Sequence, residues 1–594
     1  MRILGISCYF HDASAALLED GVVVAAAEEE RFTRKKHDYD FPEKSIQFCL
    51  DRAGITGEDL DYVAFFEKPF VKFDRLMRTA LQGFPRTSGV FVQSMRTWLV
   101  DKLWVKNLIA NRVGIDPSRI LFSEHHLSHA ASTYFCSPFD HAAVLTIDGV
   151  GEWATTTLGV GQGNNLNISK ELHFPHSIGL LYSVFTAFLG FEVNEGEYKV
   201  MGMAPFGTPR YTDKIWKVVS QADDGSFWLD PSYFAFHRST KRSYSRNFLE
   251  LFGDARDPEV PFFTATTGFP SYFGSKPRNF DELCRYNQLY ADIAASIQLV
   301  TEELILNLAR ELHRQTGLSK LCMAGGVALN SVANSRILLE TPFEELYIQP
   351  SAGDGGAAIG AAMVAWNCSL GNQDRFVMDH AYWGQEYGPD DIVSALDSSG
   401  VAYHQAKDED EAVAMTVDRL VDGKVIGWFQ GRFEWGPRAL GNRSILADPR
   451  GADMKDIVNN KIKFREPFRP FAPSVLVEAS EKYFDLPNAE SSLPARFMLQ
   501  VVPVREDQQD VIPAVNHLGT ARIQTVSKDV SPLYHQLIGA FGDATGVPIL
   551  LNTSFNVRGE PIVNSPSDAL NTFANSGIDT LVLGNYFIDK LGSS

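Results

Sequence analysis

Cysteine is scarce in this chain and carries no pattern. Six cysteines (Cys8, Cys49, Cys136, Cys284, Cys322 and Cys368) are scattered over 594 residues without a CxxC pair. That excludes zinc-ribbon spacing and gives no disulfide framework, so a reducing compartment is expected. No segment reaches the roughly 18 consecutive apolar residues that a membrane span needs. The opening MRILGISCYFHDAS has one arginine and a short apolar run broken by His11 and Asp12, which reads as a buried first strand and not as a signal peptide. A soluble, cytoplasmic protein is the expectation. Positive charge is also in deficit: 54 Lys and Arg against 73 Asp and Glu leave a net charge of -19. A general nucleic-acid surface is therefore not expected, because binding a phosphate backbone needs clustered Lys and Arg. Low-complexity tracts are absent too, and 45% hydrophobic with 21% charged residues is an ordinary globular composition. The length calls for at least two domains.

What is present begins with a repeated scheme. RILGIS leads to a polar bend at His11-Asp12, and SAALLEDGVVVAAAEEE reads as two strands joined at Asp20-Gly21, a strong hairpin signal. AAVLTIDGVGEWATTTLGVGQGNNLNISKEL repeats it, with a buried strand, a turn at Asp148-Gly149, and strands joined near Gly163-Asn164-Asn165. An internal duplication of supersecondary structure is predicted. KLCMAGGVALNSVANSRILL and ELYIQPSAGDGGAAIGAAMVAW then each place a glycine-rich turn between a short strand and a helix. Such turns let backbone N–H groups approach a ligand, and a helix N-terminus favours anions, so this is a nucleotide-site layout. Residues 204–279 are irregular and rich in Phe, Tyr, Pro and Ser. They read equally as an insertion that shapes a substrate pocket and as an aromatic-filled subdomain. Periodicity stops after the helix ending near Trp366, which divides the chain into domains 1–370 and 371–594.

In the second domain, the segment from Gly431 to Arg469 carries nine Lys or Arg against five Asp or Glu, an excess of cations inside an acidic protein. With its Gly-Pro-Arg and Gly-Asn-Arg turns it reads better as a phosphate-binding site than as a solvated face. Arg522, Asn552, Ser554 and Arg558 could line the same pocket.

The first domain concentrates histidine. Three of fourteen histidines fall within five positions of EHHLSHAAS. With Ser123 as the helix N-cap, His125 and His129 project from one face and can share a metal, while His126 turns partly away. The helix dipole near its start favours their neutral, ligating form. Asp354 in SAGDGGAAIG is a candidate third ligand, with a helix-capping role as the alternative. Two histidines and a carboxylate with open positions suit iron(II) or another divalent ion, bound also by a nucleotide phosphate. His11 and Asp12 lie at a strand end, where His11 could act as a base on an alcohol or be structural. Asp148 and Gly149 could contact metal or phosphate or simply make the turn. Glu197 and Lys199 resemble a charged pair presented by a loop, or a surface salt bridge.

The ordered series FHDASAAL, AAEEERFTRKKHD, EHHLSHAAS, GEYKVMGMAPFG, GGVALN, GDGGAAIGAA, GRFEWGPRALGNRSILADPR, KFREPFRPFAPS, TARIQTV and LNTSFNVRGEPIV closely resembles the O-carbamoyltransferases of nodulation-factor and antibiotic biosynthesis, over nearly the whole chain. Leu518 stands where that pattern leads one to expect an acidic residue. The resemblance implies an α/β fold: an N-terminal duplicated domain, actin/sugar-kinase/Hsp70-like and akin to the tRNA threonylcarbamoyl-transfer protein, plus a C-terminal YrdC-like α/β domain. It implies that the C-terminal domain joins carbamoyl phosphate and ATP, with Mg2+, into carbamoyl-adenylate, and that the N-terminal domain passes the carbamoyl group to a hydroxyl of a small-molecule natural product. Arg438, Lys463, Arg469, Arg522, Asn552 and Ser554, with Arg443 as a weaker candidate, would hold carbamoyl phosphate and ATP, with Arg438 and Lys463 also catalytic. Asp148, Gly149, Lys199, Gly325, Gly326 and Asn330 would contact the nucleotide. His125, His129 and Asp354 would bind a divalent metal, Fe2+, and His11 with Asp12 would serve the acceptor hydroxyl. Neither nucleic acid nor membrane is an expected partner, and oligomeric state stays open, a homodimer being one option. Competing readings are a tRNA-modifying or hydrogenase-maturation carbamoyl enzyme and a regulatory ATPase of the actin/Hsp70 fold. The basic run Arg31, Arg34, Lys35 and Lys36 either lines a channel or is a solvated patch.

Overall fold

A computed structural model describes residues 1–85, 87–89, 91–92, 95, 98, 102–239 and 241–590. The chain forms two compact units that interleave in sequence. The first comprises Met1–Ala26, Tyr39–Phe269 and Lys276–Val377, and the second Ala27–Asp38, Pro270–Ser275 and Met378–Ser594. No helix among the described residues is long and apolar enough to cross a membrane.

The first unit is built on two mixed five-stranded sheets of the same design. One contains β1 (Arg2–Ser7), β2 (Ser14–Glu19), β3 (Val22–Glu28), β4 (Tyr62–Phe65) and β5 (Ile120–Phe122), in the order β3-β2-β1-β4-β5. The other contains β6 (His141–Ile147), β7 (Ala154–Gln162), β8 (Asn165–His173), β9 (Lys320–Ala324) and β10 (Glu345–Tyr347), in the order β8-β7-β6-β9-β10. In each, the first strand is antiparallel to the second and parallel to the fourth, and the fourth and fifth are parallel. The duplication read from the paired hairpins is thus present in strand order and direction. The first hairpin turns at Asp20 (φ 48°) and Gly21 (φ 81°), both in the left-handed region that a two-residue hairpin loop requires.

Helix α1 (His125–Tyr134) follows β5, α2 (Ile178–Phe188) follows β8, and α3 (Phe280–Thr316) crosses the unit and ends at Gly317, whose φ of 66° accommodates the left-handed cap. Helices α4 (Ser331–Glu340) and α5 (Ala357–Met363) follow β9 and β10. The alanines and glycine of α5 let backbones approach closely. A Cβ on Gly360 would lie 1.8 Å from the Ser128 carbonyl oxygen of α1, and one on Gly5 of β1 would lie 1.9 Å from the Ala358 oxygen of α5. Aromatic residues of the irregular region pack against α2: the Phe248 ring centroid lies 5.1 Å from Phe185 and 5.3 Å from Phe188, both edge-on, and 4.6 Å from Phe252.

The second unit is a mixed sheet of β11 (His404–Gln405), β12 (Ile426–Phe429), β13 (Arg443–Ala447), β14 (Ala472–Leu476), β15 (Gln524–Val526), β16 (Ile549–Ser554), β17 (Thr580–Leu583) and β18 (Tyr586–Asp589), in the order β11-β18-β17-β12-β13-β16-β14-β15. Helices α6 (Glu409–Val421) and α7 (Pro532–Thr545) bury Val417, Leu537 and Phe541 against Trp428 and Leu550 on one face. Helix α8 (Pro566–Ala574) buries Leu570 and Phe573 with Ile549 and Leu551 on the other. Alternation along β16 therefore feeds two cores.

Gly360→Ala should lower stability by about 1–3 kcal/mol, the cost of forcing volume into a packed interior. A thermal melt compared with an alanine substitution at exposed Gly89, where a Cβ would meet nothing within 4 Å, measures it.

Candidate functional sites

In the first unit four side chains converge. His125 and His129 stand one turn apart on α1, Asp148 ends β6, and Asp354 sits in the turn before α5, with one ligand atom from each lying within 4.8 Å of all the others. The two Nε2 atoms are 3.1 Å apart. His125 Nε2 is 3.2 Å from Asp148 Oδ2, and His129 Nε2 is 3.3 Å from Asp354 Oδ1. Both imidazoles are fully buried. Burial disfavours a charged ring, but Asp148, Asp354 and Glu152 outweigh it and hold His125 up at about 9. Burial likewise opposes charge on Asp148, yet the three histidines hold it well below the carboxylate range. Two buried imidazole nitrogens facing each other and two carboxylates call for a cation or shared protons among them, and Asp354 Oδ2 has no hydrogen-bond partner. The donor set fits a divalent metal ion.

Local structure explains the convergence. Glu124, not the expected Ser123, occupies the cap position of α1, and it makes no side-chain cap bond. The free N–H of His125 instead donates to the buried Glu152 carboxylate at 3.0 Å, which also accepts from the Lys68 N–H. That long-range anion replaces a local cap. His126 does turn away, placing Nδ1 2.7 Å from Thr146 Oγ1, and burial lowers its basicity, assisted by the other two histidines. Asp148 Oδ1 accepts from the Gly326 N–H at 2.9 Å. Gly325 beside it has φ 93°, and a Cβ there would lie 2.2 Å from the Ile147 carbonyl oxygen. Only glycine brings that turn against the end of β6.

The other expected residues of this unit scatter around the centre. His11 Nδ1 lies 2.6 Å from Asp12 Oδ2 and Nε2 3.2 Å from the Asn194 carbonyl oxygen. Burial pulls its basicity down, but Asp12 and the charge on Asp354 raise it to about 9. Asn330 caps α4 through the Ala333 N–H and exchanges amide hydrogen bonds with Gln298. Gly149 receives the Ser177 hydroxyl on its carbonyl. Glu197 accepts from Ser183 and from the Asn194 N–H, and Lys199 lies over the Phe191 ring.

The second unit gathers charge of the opposite sign. Lys463 ends a widened turn after a short helix, Met454–Val458, and is 5% exposed. Its ammonium contacts neutral oxygens of Ser554 and Asn556, the latter at 2.9 and 3.0 Å, and no carboxylate among the described residues. Burial, then repulsion from Arg465, Arg469 and Lys36, pushes Lys463 well below the usual lysine range. Arg469 stands 3.6 Å from Glu466. Asn552 donates to Ser474 Oγ, Gln524 Oε1 and the Ala439 carbonyl, and so tethers the loop before β13, while its own Oδ1 is buried without a partner. Arg438, half-buried, projects from that loop, and half-buried Arg522 ends a short strand, Thr520–Arg522. Leu518 is exposed at a left-handed turn position before it. Arg558 reaches the Phe464 carbonyl.

Residues 2–363 match the family described as carbamoyltransferase N-terminus, and residues 417–590 the carbamoyltransferase C-terminus. The chain belongs to the carbamoyltransferase family. The nodulation protein NolNO of Sinorhizobium fredii is 38% identical over 99% of this chain and 80% of its own length. The 3'-hydroxymethylcephem-O-carbamoyltransferase of Amycolatopsis lactamdurans is 34% identical over 49% of this chain and 53% of its own. An uncharacterised Synechocystis protein reaches 45% identity over 99% and 97%. Among solved structures, HypF of T. kodakarensis aligns over 62% of this chain and 48% of its own at 12% identity with a TM-score of 0.30, too distant to argue from.

In this carbamoyltransferase one expected anion-binding residue is unavailable to a ligand. Arg443 is fully buried, and its guanidinium donates to the carbonyls of Gln430, Asn442, Gly431 and Asn564 while lying 3.6 Å over the Phe429 ring. It braces the loop from within. Sequence reading missed the groups that hold this loop: Glu434 Oε1 accepts the N–H groups of Leu440, Asn442 and Arg443, and Glu28 Oε1 accepts that of Gly436. No local pattern marks either glutamate, because their partners are set by the loop's path.

His129→Ala and Asp148→Asn should each reduce bound divalent metal from about one per chain to a small fraction, read by metal analysis after dialysis. Glu28 supplies a pH signature. Burial, opposed by Arg31, raises its carboxyl from 4.5 to about 7. A raised carboxyl stabilises the fold fully below its unfolded value and loses that contribution as pH rises through about 7. Between pH 5 and 8 the wild type should lose on the order of 3 kcal/mol relative to Glu28→Gln, measured as the difference between paired denaturant titrations.

Proposed function

We propose that this carbamoyltransferase is an ATP-dependent O-carbamoyltransferase acting on a hydroxyl of a small-molecule acceptor. The observation that carries the reading is Lys463, a buried lysine surrounded by Arg465, Arg469 and Lys36 and held only on neutral oxygens. Such a site is incomplete without a polyanion. Carbamoyl phosphate and the ATP triphosphate repel each other until cations neutralise them, and Lys463, Arg438, Arg469 and Arg522 would do so. Ser554 and Asn556 orient the Lys463 ammonium. In this reading, water and carbamoyl phosphate give carbamate and phosphate, and carbamate displaces pyrophosphate from ATP to form carbamoyl-adenylate. The acceptor oxygen then attacks the carbamoyl carbon and AMP departs. The second unit, with the C-terminal domain 371–594, would be YrdC-like, and the duplicated sheets of domain 1–370 would form an actin/sugar-kinase/Hsp70-like core.

His125, His129, Asp148 and Asp354 would hold the metal, for which we favour Fe2+. When bound, the ion supplies positive charge for the phosphate of the leaving AMP. His11, held by Asp12 on one nitrogen and the Asn194 carbonyl on the other, would orient the acceptor hydroxyl. Burial of the centre keeps water from the mixed anhydride.

Carbamoyl phosphate should trigger release of AMP and pyrophosphate from ATP, whereas release of ADP, or turnover indifferent to carbamoyl phosphate, refutes the proposal. Lys463→Ala should cut pyrophosphate formation about 100-fold or more, while His129→Ala keeps it and loses acceptor carbamoylation, read as the mass gain of one carbamoyl group.

A further inference from the structure

Residues 27–38 lie inside the match to the N-terminal family region yet pack within the second unit. Lys35 of the basic run is exposed, but Arg31 is not part of a solvated patch. Arg31 is 2% exposed, its Nη2 donates to the Gly436 carbonyl at 2.6 Å, and its guanidinium lies 5.9 Å over the Phe433 ring. Glu28 Oε1 accepts the Gly436 N–H at 2.8 Å, and Glu28 Oε2 faces Arg31 Nε at 3.7 Å. One buried ion pair therefore holds both backbone groups of a single residue. Gly436 has φ 100°, so the chain turns there as only glycine readily does, and rigid Pro437 joins it to Arg438. Three residues further along, Arg34 donates to the carbonyls of Ile562 and Pro561 at 2.6 and 2.9 Å. That second loop returns from Ser554 and Asn556 and is closed by the Val563 N–H on the Phe555 carbonyl.

We propose that Glu28 and Arg31 are positioning residues for the anion site of the second unit, fixing the direction in which Arg438 projects by clamping Gly436 from both sides, with Arg34 fixing the loop that carries Ser554 and Asn556. The inference rests on the reading that Arg438 and Lys463 bind the anionic reactants. Its chemistry is pre-organisation: a guanidinium held in place before the ligand arrives loses less freedom on binding. A segment supplied from the N-terminal part of the chain thereby completes a site formed by the C-terminal part.

The test uses the full-length chain and two readouts, the Kd for pyrophosphate and the KM and kcat of carbamoyl-phosphate-dependent pyrophosphate release. Arg31→Ala should weaken pyrophosphate about tenfold and raise the KM for carbamoyl phosphate similarly, with kcat changed less than about threefold. Arg31→Lys, which retains one donor for the Gly436 carbonyl, should recover part of both, and Glu28→Gln, which retains the acceptor, should stay within about twofold of wild type. Where Arg31→Ala does not fold, Arg31→Lys and Arg34→Ala carry the comparison. A lowered melting temperature with unchanged pyrophosphate Kd and unchanged KM overturns the proposal by reducing the clamp to a packing role. So does a wild-type chain that fails to bind pyrophosphate. A wild type that binds pyrophosphate, but turns over ATP without regard to carbamoyl phosphate, refutes the assigned activity. If Arg31→Ala weakens pyrophosphate in that same chain, the clamp stands.

Discussion

The near-contact of α1 and α5 is the constraint on which the first unit depends. With no side chain at Gly360, the Ser128 carbonyl comes to the distance a Cβ would need, and the two helices run close along their alanine faces. His125 and His129 on one helix are thereby set beside Asp354 at the head of the other. Asp148 joins them because Gly325 and Gly326 let the turn between β9 and α4 press against the end of β6. The four donors are buried by that packing. Burial in turn makes their mutual arrangement costly unless a cation or protons lie among them, so structure and chemistry have the same origin.

The second unit solves the complementary problem. Its loops are long, bent and rich in glycine, and they stay ordered because buried carboxylates collect their N–H groups: Glu434 takes three and Glu28 one. Arg443 fills the carbonyl side of the same account. Lys463 is buried beside Arg465 and Arg469, whose charge adds to burial in lowering its basicity. One unit concentrates imidazole and carboxylate groups in a donor set that fits a metal cation, and the other gathers ammonium and guanidinium groups.

Much of this was legible in order along the chain. The duplicated hairpins were readable from Asp20-Gly21 and Gly163-Asn164, since turn residues between alternating strands act locally. The pairing of His125 with His129, and the divergence of His126, followed from helical spacing alone. The capping residue did not, because Glu152 reaches the helix start from another loop and no local signature distinguishes it from any acidic residue. Arg443 looked like a ligand-binding cation for the same reason. Basic residues in a glycine-rich loop have identical local signatures whether they point out toward phosphate or in toward carbonyls.

The sequence by itself determined the periodic elements, the repeat, the motifs that mark a carbamoyltransferase and the clustering of histidine and basic residues. Those properties arise from neighbours within a few positions. Tertiary structure alone decided that Asp148 faces the histidines, that Arg443 is sealed on carbonyls, and that residues 27–38 belong with the second unit, gripping Gly436. Each of these joins groups far apart in the chain, at distances set by backbone approach and burial, which local sequence does not encode.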